Sequence, residues 1–181
     1  LQNISVSKQS LPIDIYANYS KKLISRYNNN LEIYNKYPSS ERIFETISNK
    51  LTEYETNKQG YLGVVHGDPV FTNIFKTETG VKFIDMRGKV GDELTIFGDL
   101  YYDLAKIYQS LLGYDYILNN VEIDIHYTQK LIKYFESKFQ PQHLDIIKLI
   151  TASLLFSLLP LHEENEEQFN KYFKLIENLT K

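Results

Sequence analysis

The chain has 181 residues, 43% of them apolar and 24% charged, with a formal net charge of −3 and a pI of about 5.8. That is the size of one domain with a substantial core, and the charge balance gives no electrostatic case for a nucleic-acid partner. Cysteine is absent, which excludes disulfides and thiolate metal sites and fits a reducing, cytoplasmic setting. The first residue is leucine, so the chain is expected to be processed or a piece of something longer.

All eight glycines lie between Gly60 and Gly113, so the residues before Gly60 cannot hold a glycine-rich phosphate loop. They read as helices instead. Ile15, Tyr16, Tyr19, Leu23, Ile24 and Tyr27 share a face at helical spacing, and the asparagines at 28 to 30 end the run. After Pro38, Ser39 or Ser40 is placed to cap a second helix with Ile43, Phe44, Ile47, Leu51 and Tyr54 on its buried face. Tyr61 to Val65 is β-like and stops at Gly67. "NIFK" and "VKFID" flank "TETG", where Gly80 supplies a positive φ, so 73–85 reads as a hairpin. In that register 76 faces 81, 75 faces 82, 74 faces 83 and 73 faces 84. Helical patterns return at 101–112, 124–138, 142–159 and 163–179. Within the fourth region, the apolar run Leu149 to Leu161 is too short to span a bilayer and reads as a core helix, so no membrane partner is expected. The predicted fold is mostly α with a small β-hairpin element, an α+β class.

The hairpin brings chemistry together. Asn73 and Asp85 fall at its open end, where opposed residues lie about 5 Å apart, and Asp68 sits on the loop that enters the same end. Two carboxylates and an amide oxygen are hard donors of the kind that suits Mg²⁺, which keeps some waters and bridges to phosphates. The plain alternative is a turn aspartate before Pro69 and an ordinary asparagine entering a strand.

"HGDPVFTN", then "VKFIDMRG", then "GDLYYDLAKI" resemble the signature of the aminoglycoside phosphotransferase and choline kinase family, a small-molecule branch of the protein-kinase-like fold. The likeness is strongest over about 64–108. It implies a kinase-like C-terminal lobe, divided into leading helices at 1–60, a catalytic and metal-binding segment at 61–108 and a helical subdomain at 109–181. By the resemblance, Asp68 orients and deprotonates the acceptor hydroxyl, while Asn73 and Asp85 hold Mg²⁺ against the phosphates of ATP. His66 braces the catalytic loop. Asp99 and Asp103 are the acidic positions of the family's helix-opening segment, with Leu100 where a proline is usual, and a supporting role is favoured for both. Such chemistry rests on positioning and charge neutralisation more than on covalent steps.

Arg87 is a possible phosphate contact, but pairing with Asp92, Asp99 or Asp103 is the favoured expectation. His126, His143 and His162 lack partners at metal-ligand spacing and read as surface or helix-end residues. Glu163, Glu164, Glu166 and Glu167 open the last helix, where they complement its dipole; lining a cationic-substrate site is the lesser reading. The tyrosines read as core or boundary residues rather than a cation–π box.

The resemblance also implies an N-terminal nucleotide-gripping lobe as a partner, which the glycine-free first third cannot be. A lobe alone is expected to bind MgATP weakly and to transfer phosphate slowly if at all. The asparagine- and lysine-rich style resembles phosphotransferase-like segments of bacterial surface-polysaccharide pathways, so the expected small-molecule acceptor is a sugar, aminoglycoside-like or amino-alcohol hydroxyl. The alternatives are a non-catalytic kinase-like binding or scaffolding module and, more weakly, a hydrolase built on His66 and Asp68.

Overall fold

The computed structural model describes residues 13–181. The first part of the apolar face, Ile15 to Tyr19, is not helical. Asp14 accepts a hydrogen bond from the Tyr16 N–H through its side chain, and backbone bonds from Ala17 to Asp14 and from Tyr19 to Tyr16 make successive turns. A side-chain acceptor two residues back offers the backbone a turn in place of a helix. Helix α1 therefore starts later, at Ser20–Asn28, and ends at the asparagines as expected. The short α2 (Leu31–Tyr34) leads to α3 (Ser40–Thr56), whose Ile43, Ile47, Leu51 and Tyr54 are buried. Ser39 does not cap it; its hydroxyl donates to Glu177 instead.

Six short strands follow. β1 (Leu62–Val64) pairs antiparallel with β6 (Phe97–Asp99). β2 (Ile74–Thr77) and β3 (Gly80–Phe83) form the expected hairpin, with Ile74 opposite Phe83 and Lys76 opposite Val81. The Ile84 N–H donates to the Asn73 carbonyl at 3.0 Å, which carries the pairing one step further. A second hairpin joins β4 (Lys89–Val90) to β5 (Glu93–Leu94) through Gly91 and Asp92, with Gly91 at φ +56. Its Gly-Asp turn was a usable signal; the strands it joins were too short to show alternation.

The second half is helical: α4 (Leu100–Leu111), α5 (Tyr114–Leu118), α6 (Ile125–Glu136), α7 (Pro141–Leu158) and α8 (Glu166–Leu179). Helix α7 is the centre. It packs on α1, α3, α4 and α8, and Ile147, Ile150, Leu155 and Phe156 are fully buried. With the 3₁₀ turn Leu159–His162 it forms a 22-residue apolar stretch. By length and composition that is enough to cross a membrane, contrary to the estimate from the apolar run alone. Half of it is buried within the chain, as a core helix requires. The architecture is thus mostly helical with small antiparallel sheets, an α+β class.

Candidate functional site

Two carboxylates, Asp99 buried and Asp103 half-buried, fix the segment between β1 and α4. Asp99 ends β6 and caps α4, accepting from the Tyr101 N–H at 3.1 Å. It also accepts from the Tyr61 N–H at 3.1 Å and from the hydroxyls of Tyr19, at 2.7 Å, and Tyr54. Burial pushes the Asp99 pKa up, against the lowering effect of these donors. A buried carboxylate with four donors is well satisfied, and removing it would orphan all four. Asp99 thereby locks the start of α4 to α3 and to the turn before α1.

Asp103, one turn into α4, reaches outward to the loop after β1. Its two oxygens accept from the backbone N–H groups of His66, at 2.7 Å, and Gly67, at 2.8 Å. Burial raises the Asp103 pKa, again opposed by those two bonds. Gly67 adopts φ +82, and a Cβ there would lie 2.7 Å from the Arg87 Cβ. Only glycine permits this approach, and the His66 carbonyl accepts from the Arg87 N–H at 2.9 Å. The loop carrying Asp68 is therefore stitched directly to the strand exit carrying Asp85.

The consequence is a shared cleft of about 470 Å³ lined by both Asp68 and Asp85. Asp85 lies just past β3 with φ +58, a left-handed conformation that non-glycine residues seldom adopt and that gathers at functional sites. Its carboxylate is exposed and forms no ion pair or hydrogen bond among the described residues. Asn73 closes a 3₁₀ turn (Phe71–Asn73), and its side-chain N–H donates to the Asp68 carbonyl at 2.9 Å. That bond leaves the amide oxygen as its uncommitted acceptor. Asn73 is thus tied to the Asp68 loop and to the base of the hairpin, but it is not among the residues lining the cleft.

His66 sits inside this loop. Its Nδ1 accepts from the Asp68 N–H at 3.3 Å and its ring lies 5.7 Å from that of Phe83. Its Nε2 is enclosed without a partner among the described residues.

Arg87 corrects the sequence expectation. It pairs with none of Asp92, Asp99 or Asp103: both latter carboxylates are already committed, inward and to the loop. Its guanidinium donates to the Tyr102 hydroxyl at 2.6 Å and lies 5.8 Å from that ring's centre, and it faces the cleft.

Sequence reasoning missed three cleft cations, Lys22, Arg26 and Lys106. Lys106 Nζ lies 3.0 Å from Asp68 Oδ1, an oxygen with no other partner among the described residues. Burial works against the Lys106 charge, but Tyr102 and Asp68 outweigh it and raise its pKa. Lys22 goes the other way: burial first, then Arg87, Lys106 and Arg26, push it down to about 8.

Among the described residues no group of three His, Cys, Asp or Glu could hold a metal. The donors present are Asp85, the Asn73 amide oxygen and Asp68. All are hard oxygens of the type Mg²⁺ takes; Asp68 and Asp85 line the cleft and Asn73 does not. No protein-family model, curated protein or solved structure matches this chain.

Proposed function

We propose that this chain is a kinase-like C-terminal lobe that positions an acceptor hydroxyl for phosphoryl transfer from MgATP. The observation that carries the reading is the single cleft where Asp68 and Asp85 meet four cations. Asp68, held by Lys106 and by the braced loop, orients the hydroxyl and accepts its proton as the phosphoryl group departs toward it. Asp85 and Asn73 would hold Mg²⁺, which when bound neutralises charge on the phosphates. Arg87 stands beside Asp85 as a donor to phosphate oxygens. His66, Asp99 and Asp103 act through the backbone, fixing where Asp68 points.

A second observation favours a further lobe against the β2–β3 hairpin in the intact protein. Val81 and Phe83 share one face of the β2–β3 hairpin and Phe75 lies on the other; these three and Met86, just beyond, are each about half exposed. Such clustering of large apolar side chains marks a surface that another body covers. In the protein that carries both halves, Asp68→Asn is expected to lower kcat about a thousandfold with the fold intact, and Asp85→Asn to weaken Mg²⁺ dependence. Steady-state phosphorylation of a panel of sugar and amino alcohols, with circular dichroism of each variant, measures this. Full turnover in both variants would leave a binding module as the better account.

A further inference from the structure

The cleft carries more positive charge than its two carboxylates can absorb. Lys106 is engaged by Asp68, and Arg87 lies two positions after Asp85 and is anchored to Tyr102. Lys22 and Arg26 remain, four residues apart on one face of α1. Neither side chain has an ion-pair partner among the described residues, and residues 1–12 contain no aspartate or glutamate to supply one. They face α7 and the turn after it, which contribute Ser157, Leu158 and Leu161 to the same cleft.

From this charge layout we infer that the α1 wall binds an anionic group, a phosphate ester or carboxylate, on the acceptor alcohol. The inference rests on the phosphotransferase reading and narrows it. The acceptor is a hydroxy compound with its own negative charge, not a cationic amino alcohol or aminoglycoside. A cationic acceptor would enter a site already crowded with like charge, whereas an anion turns that crowding into binding. The acid-rich start of α8 offers no relief, because Glu163 pairs with Lys36 at 3.0 Å in a separate hollow. Burial first, and then the neighbouring cations, hold the Lys22 pKa low, and a bound anion would offset the cations' share. Ser157 adds a hydroxyl to the α7 wall, and Leu158 and Leu161 offer an apolar rest for the carbon chain. Polar groups placed on an otherwise apolar wall are how small-molecule sites set orientation.

The same chemistry could instead serve the phosphates of the donor nucleotide, and the test separates the two. The probes are glycerol 3-phosphate, glycerol, choline and MgATP, titrated by calorimetry into the 181-residue chain, into Lys22→Met and into Arg26→Met. Glycerol 3-phosphate should bind at least about tenfold more tightly than glycerol or choline, a difference of about 1.4 kcal/mol. Either substitution should remove about tenfold of that affinity with the circular dichroism spectrum unchanged. Saturating MgATP should leave glycerol 3-phosphate binding in place. Choline as the tighter ligand, or wild-type affinity in both variants, would overturn the inference. Mutual exclusion of MgATP and glycerol 3-phosphate would also overturn it, by assigning the α1 wall to the nucleotide. Mg²⁺ titration of the same chain reports separately on the phosphotransferase reading. Absence of Mg²⁺ binding alongside the expected losses in Lys22→Met and Arg26→Met would fell that reading and leave the anion subsite standing.

Discussion

The helical body and the segment between Leu62 and Asp99 are built on opposite principles. The body buries its side chains: Tyr19, Tyr34, Tyr54, Leu155, Phe156 and Tyr172 are all at 1% exposure or less. Aromatic rings there interlock, Tyr34 stacking on Phe156 at 4.6 Å and Tyr27 on Phe44 at 3.9 Å. The strand segment buries Val65, Val70 and Val90 but leaves its larger side chains out, with Leu94 at 89% and Phe83 at 52%. Its strands are two to four residues long and, among the described residues, make no sheet wider than two strands. A two-stranded ribbon is marginal by itself. It is held by polar pins from the body: Asp99 and Asp103, plus Ser110 and Asp115, whose side chains accept from the Phe71 and Thr72 N–H groups. The body supplies stability by burial, and the segment borrows rigidity through hydrogen bonds. This division leaves the chemical groups at the surface without making them loose.

Removing a core side chain should do the most damage. Leu155→Ala is expected to cost about 3 kcal/mol or more through lost burial and a cavity, measured as a fall in the urea midpoint. Next comes the pin. Asp103→Asn leaves one of two loop amides facing an N–H group, at about 1–2 kcal/mol. Its specific signature is faster hydrogen exchange at Gly67 with slow exchange kept in α7. Equal loss of protection in both regions would show that pin and core are one unit.

Lys22 gives a smaller, pH-dependent effect. Its ammonium faces Arg26 on its own helix, and Arg87, Lys106 and Asp68 across the cleft. Its folded pKa of about 8 lies below the ordinary 10.5, so between those values the unfolded chain holds the extra proton. Stability therefore rises with pH through that window. Lys22→Met should flatten the rise and add about 1 kcal/mol at pH 7 after solvent screening is allowed for, read from melts at pH 7 and 10. Last, Phe83→Ser should change stability by less than about 0.5 kcal/mol, because the ring is exposed in this chain. A loss several times larger would mean that the apolar hairpin face is already core.

The helices and the β2–β3 register were legible because both depend on local spacing: buried residues three and four apart, and a glycine where the turn needs positive φ. The turns at 14–19 broke the pattern because the Ala17 and Tyr19 N–H groups bond to carbonyls three residues back, at Asp14 and Tyr16, in place of an i to i−4 ladder. Asp68, Asn73 and Asp85 could be singled out by residue type and order. Their surroundings could not. The Asp68–Lys106 contact spans α4, the Arg87–Tyr102 bond displaced the expected carboxylate pairing, and Lys22 and Arg26 join from a helix more than forty residues upstream of Asp68. A lysine and an arginine at i and i+4 with no acid beside them was the one faint signal of that last group.

Sequence by itself determined the helical body, the hairpin and the short list of oxygen donors, since periodicity and turn chemistry act over a few residues. Tertiary structure alone decided which charges face one another, because the Coulomb energy of a cleft depends on distances between segments that spacing along the chain does not encode. The balance of four cations to two carboxylates, and with it the kind of molecule the cleft favours, exists only once α1, the loop after β1 and α4 have packed around it.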